Sequence, residues 1–247
     1  MPVATPPTPA EMEAGSGIVP QLPLALVTPP EQRLQRYLQA PTGLLEQLTR
    51  VAEGAASDPL YVHGPHATGK THLLLACCAH AEAGGRHPAY LSLEGTGGRV
   101  REAVEGLDAA DLLALDDLDA VAGNREDEVA LFDLHNRLRD AGRVLLYAAA
   151  VAPDALPLVL PDLRSRLAQC TRWALPVLDD AGRAQLLRER AAARGLDFDE
   201  AALDWMLRRC SRDLGSLATL FEQLDRASLA AQRRLTVPFL RQVLAAD

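Results

Sequence analysis

Gly64-Pro65-His66-Ala67-Thr68-Gly69-Lys70-Thr71 fits the pattern GxxxxGK(S/T) at every position. Each residue type has a reason. Glycines let backbone N–H groups close around a phosphate, and the start of the following helix adds its positive end. Lys70 brings a point charge to the outer phosphate oxygens, and Thr71 brings a hydroxyl to Mg²⁺. The flanks agree: Leu60 to His63 reads as a short strand, and Thr71 to Ala83 as a helix closed by Gly84. All eight residues are therefore candidate ligands of ADP or ATP.

Such a loop works with an acid at the end of a neighbouring apolar strand. Leu112-Leu113-Ala114-Leu115-Asp116-Asp117 supplies a pair. Asp116 is the candidate partner of Thr71 in holding Mg²⁺, and Asp117 is placed to polarise an attacking water. The bland alternative is that both acids only begin the next loop.

Outward from these motifs the chain alternates in type. Further strands are expected at Pro88–Leu93, Val144–Ala149 and Trp173–Leu175. Helices are expected at Thr42–Gly54 (Thr42 as N-cap), Gly98–Gly106, Glu126–Asp140 and Leu163–Ala168. Strands without internal alternation, separated by helices, predict an α/β domain with a parallel sheet covered on both faces. Beyond Asp179 the pattern is helical only, at 180–194, 199–211, 214–231 and 236–245, and predicts a small helical bundle. The expected division is a disordered tail at 1–20, a peptide and linker at 21–41, the α/β domain at 42–177 and the bundle at 178–247. Residues 1–41 hold nine of the 17 prolines, which marks the tail. Met12 is an alternative start.

The composition narrows the function. The chain has 247 residues, 48% of them apolar, enough for a core. Its longest apolar run, Val144 to Ala152, falls far short of the roughly 20 residues that span a bilayer. No secretory signal is visible, so a cytoplasmic, membrane-free protein is expected. Lys and Arg total 25 against 33 Asp and Glu, a net charge of −8. That balance argues against gripping nucleic acid by charge. Four cysteines without a CxxC pair read as buried thiols in a reducing compartment.

Gly69-Lys70-Thr71-His72-Leu73-Leu74 and the Asp116-Asp117 pair resemble the AAA+ domain of DnaA, the bacterial replication initiator. Gln223-Leu224-Asp225-Arg226-Ala227-Ser228 and Ala231-Gln232-Arg233-Arg234-Leu235-Thr236-Val237-Pro238-Phe239 resemble the Hda family of DnaA-related regulators more narrowly. Leu160 to Leu167 and Leu131 to Leu138 resemble it too, and the likeness runs over about residues 21–246. It implies an AAA+ P-loop domain followed by a small helical lid.

It also implies partners. Gln21-Leu22-Pro23-Leu24-Ala25-Leu26 resembles the hexapeptide that docks on the bacterial sliding clamp, the DNA polymerase III beta subunit. Gln21 would offer its amide, while Leu22, Leu24 and Leu26 supply the apolar side chains. An edge strand packed on the domain is the alternative. The family's arginine that faces a neighbour's nucleotide matches Arg166, with Arg164 a flanking competitor. Otherwise Arg166 is a surface residue paired with Asp162. The chain stops where the initiator continues into its DNA-reading domain, so no sequence-specific DNA binding is expected.

Two departures stand out. Ala150 stands where the initiator carries a polar residue that senses the outer phosphate. Gly215 stands where relatives place an arginine, with Arg212 one turn earlier. Both remove groups that favour a triphosphate.

Three functions compete. One is an activator that docks on the DNA-loaded clamp and stimulates hydrolysis of DnaA-bound ATP. The second is a self-sufficient ATPase, such as a helicase loader or truncated initiator. The third is an adaptor without stimulation. A homo-oligomer is compatible with all three.

Overall fold

Five parallel strands form one sheet in the order β2-β3-β4-β1-β5. They are β1 (Leu60–His63), β2 (Pro88–Ser92), β3 (Leu112–Asp116), β4 (Val144–Ala149) and β5 (Thr171–Ala174). The computed structural model describes residues 33–193, 195, 199–209 and 236–244. Helix α1 (Leu44–Ala52) precedes β1, and α2 (Lys70–Ala83) follows the glycine loop. Next come the one-turn α3 (Val100–Ala103), α4 (Arg125–Asp140) and α5 (Pro161–Ala168). Beyond the sheet lie α6 (Asp180–Ala193), α7 (Glu200–Arg209) and α8 (Val237–Leu244).

The two-residue period of a strand sorts the core into two layers. Leu113 and Leu115, with Tyr61, Leu145 and Tyr147, face α4 and α5, where they meet Leu131, Leu134, Leu138, Leu163 and Leu167. Leu112, Ala114, Leu60, Val62, Val144 and Leu146 face the other way, onto α1 and α2. Burial on both faces is why these strands read as unbroken apolar runs.

Three strands match their expected bounds, and the differences elsewhere are local. Residue 43, not Thr42, caps α1: Gly43 has φ 89°, and no side chain caps the helix. The helix expected over Gly98–Gly106 shrinks to Val100–Ala103, because Gly97, Gly98 and Gly106 all take positive φ. At α4, Asn124 accepts hydrogen bonds from the N–H groups of Glu126 and Asp127, an N-cap in the usual sense. Cys77, Cys78 and Cys170 are buried and free, as expected, and burial raises the Cys77 and Cys170 thiols to about 12. Among the described residues no helix is long and apolar enough to cross a membrane. The helix expected at 214–231 lies outside the described residues.

One polar pair interrupts the core under α4. His135 Nδ1 and the Tyr147 hydroxyl share a 2.8 Å hydrogen bond, and their rings stack. Burial, then Arg139 and Arg166, lower the His135 pKa to about 4. The folded state thus prefers neutral imidazole, and the unfolded chain takes a proton near pH 6.5. This contribution is complete above pH 6.5 and is lost as the pH falls toward 4. Stability is expected to drop on the order of 2 to 3 kcal/mol over that window from this group, as urea midpoints at successive pH values would record.

Candidate functional site

All the strands point the same way, so their C-terminal ends share one rim, and the glycine loop leaves from β1 on that rim. The loop is built tightly. Gly64 donates its N–H to Ala149 O at 3.2 Å, tying the loop to the end of β4. A Cβ on Gly64 would lie 2.7 Å from Leu175 O, closer than packing allows. Ala67 and Gly69 turn the chain through positive φ, 62° and 85°. At Ala67 this strains a residue with a Cβ, as is common at functional sites. Thr68 is buried and bonds its hydroxyl to Pro65 O at 3.0 Å. His66 is exposed on the loop.

Helix α2 opens at Lys70, so its first N–H groups have no carbonyl within the helix to bond. They and the helix's positive end are what an anion would meet. Lys70 Nζ donates to Gly64 O at 2.8 Å and Pro65 O at 3.1 Å, which holds the ammonium over the loop. Burial lowers the Lys70 pKa, and Asp116, Asp119 and Asp117 oppose that shift.

The residues chosen from sequence for the metal do meet. Thr71 Oγ1 donates to Asp116 Oδ2 at 2.6 Å. Asp116 is fully buried, and its other oxygen accepts the Asp117 N–H at 3.0 Å. Burial raises its pKa, while the Thr71 hydrogen bond pulls the other way. One hydroxyl and one carboxylate side by side suit Mg²⁺, which takes one or two protein oxygens and fills the rest with phosphate and water. Among the described residues no group of three or more His, Cys, Asp or Glu forms a metal cage of its own. Asp117 has φ 57°, and its Oδ2 accepts the Ser92 hydroxyl at 2.8 Å.

Several neighbours escaped the sequence reading. Tyr90 donates to Asp116 Oδ2 at 3.1 Å. Burial first, then the Asp116 charge, push its hydroxyl pKa well up, so it stays a donor. Tyr90 and Ser92 lie on β2, where Ser92 is in register with Asp116. Only strand pairing reveals that.

Tyr37 donates to Thr68 O at 2.7 Å, and a Cβ on Gly69 would meet its ring at 2.8 Å. Burial raises the Tyr37 pKa to about 12. His72 is partly buried beside Tyr37, with its Nε2 3.2 Å from Arg33 O. Nearby, Gln39 Nε2 donates to Asp179 Oδ1 at 2.9 Å, at the start of α6.

Asp119 is the last of these. Its Oδ2 accepts the Ala150 N–H at 2.6 Å. A carboxylate therefore stands at the end of β4, where Ala150 has no polar side chain to offer.

Arg166 lies exposed on α5 and forms no ion pair with Asp162. Arg164 behaves differently and donates to Leu158 O in its own loop. Gln21, Leu22, Leu24 and Leu26 lie outside the described residues, as do Arg212 and Gly215.

Comparison with known proteins agrees with this geometry. A model of the bacterial DnaA ATPase domain matches residues 45–174, and a model of the Hda lid domain matches 180–244. Domain III of the Thermotoga maritima replication initiation protein DnaA is similar, with TM-score 0.75 and 19% identity over 91% of this chain and 98% of that one. A replication initiator DnaA bound to AMPPCP and single-stranded DNA gives TM-score 0.65 and 22% identity, over 78% of this chain. This chain spans 64% of that protein's length. The Thermotoga maritima RuvB branch migration motor shares the fold at TM-score 0.62 and 15% identity, over 87% of this chain and 72% of that one.

Lys70→Ala is expected to weaken ADP and ATP binding by about 3 kcal/mol, roughly 100-fold, through loss of a charge-assisted contact. Thr71→Ala is expected to lower affinity only when Mg²⁺ is present. Titration calorimetry with and without Mg²⁺ checks both.

Proposed function

This chain belongs to the Hda family of DnaA-related AAA+ regulators, and on that premise we propose that it activates ATP hydrolysis in a partner, the DnaA initiator. The DNA-loaded sliding clamp captures it through Gln21 to Leu26. Its α/β domain then packs against ATP-bound DnaA. Arg166 enters the partner's site and offsets charge building on the phosphoryl group in transfer, a role for which a guanidinium suits well. Hydrolysis to ADP leaves the initiator inactive, which makes the chain a negative regulator of replication initiation.

The observation that carries this reading is the exposure of Arg166, which has no side-chain ion pair among the described residues. It is exposed on a short helix and forms no ion pair with the acid one turn before it. A guanidinium left in water at a fixed point of the fold is available to another molecule.

The chain's own site binds a nucleotide through Gly64 to Thr71 and Asp116, with Thr71 and Asp116 holding Mg²⁺. The metal would draw charge from the phosphates. Around it, Lys70 binds the outer phosphate oxygens, and Asp117 orients water through the oxygen not taken by Ser92. Tyr37, Gln39 and the start of α6 border the nucleoside side of the loop.

ADP is the favoured resting ligand. Ala150 offers an outer phosphate no side-chain donor, and Asp119 adds negative charge at the same strand end. The charge of −8 fits a protein that reaches DNA by way of the clamp. The intact loop and Asp117 favour one second reading, a self-sufficient ATPase, and basal turnover without DnaA separates the two.

Arg166→Ala is expected to abolish stimulated phosphate release from ATP-bound DnaA while the complex still forms. Undiminished release would refute the activator reading. Replacing Gln21 and Leu24 together with alanine is expected to remove clamp binding in a pull-down and leave the circular dichroism spectrum unchanged.

A further inference from the structure

We propose that Glu128 is the positioning residue for Arg166, and that it joins the helix carrying Arg166 to the acidic loop of the chain's own nucleotide site. The inference rests on the activator reading, which gives Arg166 a reaction to serve.

Glu128 lies on the first turn of α4 and is fully buried. Its carboxylate faces two separate loops. Oε1 accepts the Gly123 N–H at 2.8 Å. Both oxygens accept the Val159 N–H at 3.0 Å, and Oε2 accepts the Leu160 N–H at 2.6 Å. A buried carboxylate is costly unless donors surround it, and here backbone groups supply all of them. The result is a fixed point, since none of these donors can turn away without leaving the charge unpaired.

What it fixes is the entry to α5. That helix starts after Leu160, whose side chain caps nothing, and its first residue is Pro161. The missing cap is supplied from across the fold. Glu128 takes the two N–H groups just ahead of the helix and places negative charge at its positive end. Arg166 follows five residues later, about 7.5 Å along the axis. Its direction is therefore set by a helix whose start Glu128 holds.

The other grip falls on Gly123, in the loop that runs from Asp116 and Asp117 to α4. Asp119 in that same loop holds the Ala150 N–H, at the start of the segment leading to α5. Residues 150–160 are thus pinned at both ends by carboxylates that follow the metal-binding acid in sequence. Movement of the acidic loop is carried to α5 through hydrogen bonds to backbone. A sequence reading finds Glu128 only as one acid among several in a helix's first turn.

The test uses the full chain with Glu128→Gln, which keeps the side chain's shape and loses its charge and one acceptor. Hydrogen exchange on the chain alone is expected to quicken about tenfold or more in peptides covering 158–168, with the sheet still protected. With DNA-loaded clamp and ATP-bound DnaA, the maximal rate of phosphate release is expected to fall about tenfold or more at unchanged half-saturating concentration of the chain. The same substitution is expected to add nothing in the Arg166→Ala background. Glu128→Asp, one methylene shorter and unable to reach both loops, serves if the first variant does not fold.

Unchanged exchange in 158–168, or a gain spread evenly over the domain, overturns the inference and leaves the activator reading standing. A higher half-saturating concentration at an unchanged maximal rate also overturns it, because that effect lies in docking. Full stimulation by Arg166→Ala overturns the activator reading, and with it any positioning role of Glu128 in that reaction.

Discussion

A carboxylate with no exposure to water must find donors, and Asp116 finds three: the Thr71 hydroxyl, the Tyr90 hydroxyl and the Asp117 N–H. Each comes from a different place, the start of α2, strand β2 and the next residue in the chain. The cluster joins the glycine loop to strands on the far side of β4. If the sheet shifted by one residue, Asp116 would face the opposite layer and lose these partners. The candidate nucleotide site and the sheet register are therefore one constraint.

That constraint needs a rigid base, and the two-sided core provides it. Leu112 and Ala114 pack toward α1 and α2, while Leu113 and Leu115 pack toward α4 and α5. Tight packing on both faces leaves the strands little room to slide. The rim at their C-terminal ends then gathers loops from four strands, the place where parallel sheets bind ligands.

The rim also divides labour. Near Lys70 it holds the glycine loop, with Thr71 hydrogen-bonded to Asp116 beside it. At the end of β4 it holds Ala150 and the Asp119 carboxylate in place of a side-chain donor. Helix α5, which follows β4, carries an exposed arginine. An arginine exposed on α5 and a β4 end without a side-chain donor are the features from which the proposed action on a neighbour's nucleotide is argued.

Much of this was legible in the residues. Gly64 to Thr71, the Leu112–Asp116 strand and the Val144–Ala149 strand were readable because their signals are local: a fixed spacing, or a run of apolar residues. The fourteen residues from Lys70 to the end of its helix needed only helical composition and Gly84. Tyr37, Tyr90, Ser92, Asp119 and Glu128 were not readable, because each acts through a group far along the chain, and nothing in their immediate neighbours says which backbone they will meet. Amino-acid order by itself determined the phosphate loop, the acid that pairs with it and the α/β pattern, since these follow from short-range stereochemistry. Tertiary structure alone decided which donors surround each carboxylate and where α5 points, since those depend on strand order and register, which form only when distant segments pack.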